Sequence, residues 1–194
     1  MRKVTLGLAN SLDNYIARKD GGSDWLRWNK EVAEISAKFM KTVDAILIGR
    51  KTYEVMLAFG QTSYPGAKNY VFSHSKKKIA AFIQTAMNGE EKQKRSKRTD
   101  TKNPVEFICE DAASFVRKLK CHKGKGIAVF GGGELARSLF EADLINEVVL
   151  NVHPVLLGSG VPLFHQMKKQ IDLQFLNSKP LKAGSLILSY RVKH

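Results

Sequence analysis

The chain has 194 residues, 43% hydrophobic and 26% charged, with 15 glycines and 5 prolines, an ordinary balance for one compact domain that excludes disorder as the main state. Its apolar runs, such as Ala45–Ile48 and Val155–Leu157, fall far short of the ~18 residues needed to span a bilayer, so a membrane span is excluded. The net charge of +14 raises a nucleic-acid reading. Nearly half of that excess lies between Lys76 and Lys102, where nine Lys/Arg face three acids. Asn88–Asn103 holds no aromatic or aliphatic residue and reads as a solvated insertion. A strand binder interleaves aromatics with its cations, so nucleic acid is disfavoured as a partner.

The expected elements alternate between strand and helix. After Met1-Arg2-Lys3, Lys3–Ala9 reads as a first strand rather than a leader. Asn29–Lys41 carries Val32, Ile35, Phe39 and Met40 at helical spacing. Ala45–Ile48 is a short β-rich run closed by Gly49, and Thr52–Phe59 follows as a helix. Asn69–Ser73 is the next strand, then the insertion, then Val105–Cys109 as strand and Ala112–Leu119 as helix. Gly126–Phe130 runs as a strand into Gly131-Gly132-Gly133, with Glu134–Glu141 a helix. Glu147–His153, Ile171–Ser178 and Ser185–Lys193 are strand-like with no helix between them, so the sheet is expected to end in antiparallel strands. The expectation is a single α/β domain over residues 1–194, interrupted by a basic insertion at about 79–103.

Cys109 and Cys121 form no C-x-x-C pair, and the five histidines show no ligand spacing. No metal site is expected, and the thiols are expected to be reduced in a cytoplasmic protein. Three strand ends carry groups suited to an anion. The glycine run before Glu134 and Leu135 lets backbone N–H groups approach a phosphate at a helix N-terminus, or simply makes a tight connection. Gly49-Arg50-Lys51-Thr52 delivers two cations and a hydroxyl where open α/β sheets bind ligands, or is a charged helix start. Ser73-His74-Ser75 adds hydroxyls before Lys76-Lys77-Lys78. The dinucleotide fingerprint G-x-G-x-x-G after a first strand is absent.

Four ordered motifs, Ser11-Leu12-Asp13-Asn14-Tyr15-Ile16-Ala17, Ile48-Gly49-Arg50-Lys51-Thr52-Tyr53, Gly131-Gly132-Gly133-Glu134-Leu135 and His153-Pro154-Val155-Leu156-Leu157-Gly158-Ser159-Gly160, resemble the dihydrofolate-reductase-like superfamily. The likeness is nearest to the branch holding the reductase domain of bacterial riboflavin biosynthesis. It implies a mostly parallel twisted sheet with antiparallel C-terminal strands and flanking helices. It implies NADPH along the carboxyl edge of the sheet, with Ala9 and Ile16 beside the nicotinamide and Gly49, Arg50, Lys51 and Thr52 at the phosphates. Ser73, His74 and Ser75 would surround the adenosine 2′-phosphate, and Gly131, Gly132, Gly133, Glu134 and Leu135 would form the pyrophosphate turn, with a cis peptide after Phe130. A homodimer is implied as well. The expected activity is hydride transfer to a small planar heterocycle, pterin- or pyrimidine-like, or to a related C=N or C=O compound; the alternative is a non-catalytic binder of ligand or nucleic acid on the same fold. Dihydrofolate reductases proper carry a carboxylate on the first helix, where this chain has Lys30. Asp13 is the candidate substrate contact or proton relay, its bland alternative a turn with Asn14. Trp25, after Asp20-Gly21-Gly22, is expected to stack on substrate and Trp28 to pack in the core. His153 is read as structural.

Overall fold

A computed structural model describes residues 1–75 and 105–194. β1 (Val4–Ser11) is buried or half-buried along its whole length, as befits a strand inside an eight-stranded sheet of order β5-β4-β3-β6-β1-β7-β10-β9. The strands are β3 (Val43–Gly49), β4 (Lys68–Phe72), β5 (Val105–Ile108), β6 (Gly126–Phe130), β7 (Glu147–His153), β9 (Leu173–Pro180) and β10 (Leu186–Val192). The first six in spatial order run parallel, with β10 and β9 antiparallel to their neighbours. The expected α/β fold with an antiparallel end is therefore present. The basic insertion, including its Asn88–Asn103 core, lies outside the described residues.

Helices cover both faces. On one, α3 (Ala112–Cys121) and α4 (Gly133–Glu141) set Val116, Leu135, Leu139 and Phe140 against Val4, Leu6, Leu47, Val129, Val148 and Leu150. On the other, α1 (Lys30–Met40) and α2 (Arg50–Ala58) set Phe39, Met40, Tyr53 and Met56 against Ile46, Ile48, Val71 and Ala128. Each fully buried aliphatic side chain contributes about 1.5–3 kcal/mol of transfer free energy. Asn29 caps α1 by accepting from the Val32 N–H at 2.9 Å, and Asp111 caps α3 through Ser114 at 2.7 Å.

Most boundaries agree with the sequence to within two residues. The informative shift is at α2, which starts at Arg50 and not Thr52 because Gly49 is its N-cap; both cations thereby enter the first helical turn. A short ribbon of β2 (Tyr15–Ala17) and β8 (Val161–Pro162) was not anticipated, since three and two residues are too few to show a period.

Candidate active site

Strands β3 and β6 are neighbours and end at the same level, so the turns leaving them meet. Gly49 N–H donates to Gly131 O at 3.3 Å. A Cβ on Gly49 would lie 3.0 Å from Gly132 Cα, and one on Gly131 2.5 Å from Thr52 Oγ1. The turn is not built with the expected cis bond. No cis peptide occurs among the described residues, and Gly131 and Gly132 instead reverse the chain at φ 77° and 88°, a region glycine enters without a Cβ clash.

The junction brings two helix N-termini together. Gly49 caps α2 and Gly132 caps α4, and neither helix has a side chain hydrogen-bonded at its cap. Free first-turn N–H groups and two aligned dipoles therefore face the same end of the sheet. Arg50 and Lys51 occupy the first turn of α2. Arg50 is ion-paired with Glu54, while Lys51 is exposed. Thr52 packs against Gly131. Glu134 is exposed in the first turn of α4, but Leu135 is 7% exposed and points into the core; only its backbone remains for an anion. At the end of β4, Ser73 N–H donates to Ile108 O at 3.0 Å, Ser75 N–H reaches Ser73 Oγ at 3.4 Å, and His74 is exposed.

The second half of the candidate site flanks β1. Ala9 is in register with Asn151 and Ser11 with His153, while Ile16 on β2 packs against the α3/α4-side core. Asp13 does not hang free in this space. Its carboxylate accepts from Ser11 Oγ at 2.6 Å, Leu157 N–H at 3.1 Å and Gly158 N–H at 2.7 Å. The Ser11 hydroxyl, ahead of the two backbone donors, holds its pKa below the usual carboxylate value. A carboxylate stabilised in its charged form is a poor proton donor at neutral pH. Asp13 ties the β1–β2 turn, with Asn14 at φ 63°, to the loop after β7.

The expected core position of Trp28 is corrected. Trp25 is 8% exposed and packs edge-on against His153 at 5.4 Å between centroids, whereas Trp28 is 70% exposed. Hydrophobicity alone could not rank two indoles three residues apart at a helix entrance; the Arg27 N–H donating to His153 Nδ1 at 3.3 Å turns Trp25 inward. His153 is buried, and desolvation followed by the Arg27 charge lowers its pKa, in keeping with its structural reading. Asn151, 3.2 Å from His153, and the buried Ser185 were not singled out from the sequence. A cleft of about 750 Å³ lies far away, at the amino ends of β3 and β4. There Arg2 pairs with Asp44 and Lys118 with Glu110.

The profile of the RibD C-terminal domain family matches residues 2–187. The chain belongs to that family. The uncharacterised protein YwjB of Bacillus subtilis is 33% identical over 179 residues, covering 92% of this chain and 91% of its own. A putative riboflavin biosynthesis protein from Shewanella superposes with TM-score 0.76 at 23% identity, covering 99% of both chains. Dihydrofolate reductase from Enterococcus faecalis, complexed with NADP(H) and RAB-propyl, superposes with TM-score 0.61 at 13% identity over 99% of this chain and 97% of that one. The dihydrofolate-reductase-like fold and the riboflavin-biosynthesis branch expected from the motifs are thus found. No helix among the described residues is long and apolar enough to cross a membrane.

Proposed function

We propose that the chain is an NADPH-dependent reductase acting on a small planar heterocycle or a related C=N or C=O compound. The observation that carries this reading is the glycine junction. Two side-chain-uncapped helix N-termini meet across bare backbone at the carboxyl edge of the sheet, a cradle for a pyrophosphate that any Cβ would fill. Gly49, Gly131, Gly132 and Gly133 let the phosphates approach the backbone, and Thr52 and the Leu135 backbone lie against them. Arg50 and Lys51 neutralise charge, Arg50 by exchanging Glu54 for phosphate oxygens. Ser73, His74 and Ser75 take the 2′-phosphate, which is the basis for preferring NADPH to NADH. Ala9 and Ile16 flank the nicotinamide.

When bound, the cofactor supplies the hydride. The protein's own part is to orient the ring against substrate and exclude water. Trp25, carried by the segment between β2 and α1, closes the substrate side, and Asp13 fixes the loops around it. The test is a titration of NADPH and NADH followed by nicotinamide fluorescence, then a panel of heterocycles scored by loss of the reduced-nicotinamide absorbance. NADPH binding tighter than NADH, with turnover of at least one heterocycle, is the expected result; equal affinities refute the 2′-phosphate assignment, and no cofactor binding refutes the reading.

A further inference from the structure

Side chains on β7 alternate between faces. Val148, Leu150 and Val152 enter the core under α3 and α4, so Asn151 and His153 point to the opposite face, the one α1 crosses. On that face Asn151 has Ala9 of β1 on one side and Ile187 of β10 on the other. Ser185, two residues before Ile187, shares the face and follows Gly184, which neighbours Pro154 and Arg27. Trp25 meets the ring of His153. Trp25 Nε1, Ser185 Oγ and Asn151 Oδ1 are buried without a hydrogen-bond partner. Trp25 is 8% and Ser185 1% exposed. The remaining such side-chain atom among the described residues, Asn10 Oδ1, belongs to the other face of β1.

The chemistry of these groups follows from His153. Its Nδ1 accepts from the Arg27 N–H, so the neutral ring carries its proton on Nε2. Asn151 Nδ2 lies 3.2 Å from Nε2, but the oxygen and nitrogen of an amide exchange places by a half-turn and are assigned from their partners. Facing an N–H, it must present its oxygen there. The Asn151 NH2 then occupies the position without a partner, alongside an indole N–H that can only donate and a hydroxyl that can. The patch is therefore rich in donors and poor in acceptors.

We propose that Trp25, Asn151 and Ser185 form a donor subsite that holds the substrate by a carbonyl or similar lone-pair oxygen, next to Ala9. This deepens the reductase reading and rests on it for calling the ligand a substrate. Buried donors left unpaired oppose folding, and sites built to hydrogen-bond a ligand discriminate strongly against analogues lacking the matching group. Access runs through the segment between β2 and α1, which Arg27 fastens over the patch by its N–H to His153 and by Nη1 to Ala183 O at 3.1 Å. Release of those two bonds carries Trp25 outward, and return places its N–H on the ligand.

The chain holds two tryptophans, so Trp28→Phe leaves one indole N–H resonance, that of Trp25. Uracil, which offers two carbonyl oxygens, and 2,4-diaminopyrimidine, which offers donors in their place, are titrated into this protein with and without NADPH. Uracil is expected to shift the Trp25 resonance saturably, with affinity reduced about tenfold in Ser185→Ala and in Asn151→Leu, and the diamine to bind much more weakly. Ser185→Ala removes one oxygen only and so separates loss of binding from loss of fold. An unmoved resonance, equal binding of the two pyrimidines, or uracil affinity unchanged by both substitutions would overturn the proposal. Nicotinamide fluorescence reports the cofactor separately: a uracil response without NADPH binding defeats the reductase reading and leaves the subsite standing, and NADPH binding without a uracil response does the reverse.

Discussion

Gly49 and Gly132 touch through their backbones: a Cβ on the first would lie 3.0 Å from the Cα of the second, and one on Gly132 3.1 Å from the Cα of Gly49. Space and conformation can be separated here. Gly132 also needs φ 88°, whereas Gly49 has φ −71°. Gly132→Ala should lose about 1–3 kcal/mol of stability and most NADPH affinity. Gly49→Ala should lose affinity through crowding alone, while Gly60→Ala, at φ 75° with nothing near its Cβ, should cost stability and leave NADPH binding intact. Thermal melts paired with cofactor titrations check all three. Wild-type affinity in both junction variants would reduce the glycines to chain connection.

Arg50 is the cation that the geometry singles out at the same junction, and its ion pair with Glu54 means phosphate binding involves exchange of partners. Arg50→Ala should weaken NADPH binding by about 1.5–3 kcal/mol, the range for a hydrogen bond to a charged group. Glu54→Gln should leave binding unchanged or tighten it, because the competing carboxylate is neutralised. Isothermal titration of both variants is the measurement; an unaffected Arg50→Ala would place that side chain outside the site.

Asp13 shows where the sequence was legible and where it was not. Its Ser-Leu-Asp-Asn setting marked a turn and a candidate site together, but the partners that decide between them, Leu157 and Gly158, lie 144 and 145 residues away. The same holds for Trp25, whose neighbour His153 is brought in by the β1–β7 register. The spans of strands and helices were readable because they follow from local period and punctuation; the spatial order of the strands and the side-chain roles that depend on distant chain were not. Asp13→Asn should lower stability at neutral pH while sparing hydride transfer at saturating cofactor. Because the folded carboxylate titrates below its usual 3.8, the stability it contributes is complete above that value and lost as pH falls through the folded pKa. Melts of wild type and variant should therefore converge in acid, and a persistent gap there would assign the effect to shape rather than charge.

The expected homodimer is best tested at the edge of the sheet. β7 is flanked by β1 and β10, and β10 by β7 and β9, so their backbones are already paired. β9 instead ends the sheet with Leu173, Phe175 and Leu176 exposed at 41%, 57% and 38%. An open apolar edge invites another strand. We expect light scattering to give twice the 21.7 kDa of one chain at micromolar concentration, and Phe175→Lys with Leu173→Lys to return the monomer with NADPH binding preserved. A monomeric wild type would refute the dimer, and a dimer untouched by both charges would move the interface elsewhere.

His153 gives the last prediction. It is buried, accepts from the Arg27 N–H through Nδ1, and burial followed by the Arg27 charge lowers its pKa from 6.5. The unfolded chain consequently binds a proton near pH 6.5 that the folded chain refuses, so the unfolded state carries more protons as pH falls. Stability then rises with pH across that window: it should decline on acidification from about 6.5 toward the depressed folded pKa and level off below it. Protonating Nδ1 would also put two donors face to face at Arg27, loosening the segment that carries Trp25. His153→Gln cannot titrate and keeps an oxygen for the Arg27 N–H. Its melting temperature should fall less than the wild type's between pH 7 and 5, with each ~1 kcal/mol appearing as about 2–4 °C in a chain of this size. The Trp25 emission should red-shift with acid in the wild type alone. Parallel pH profiles in the two proteins would show that folding leaves the His153 pKa unchanged.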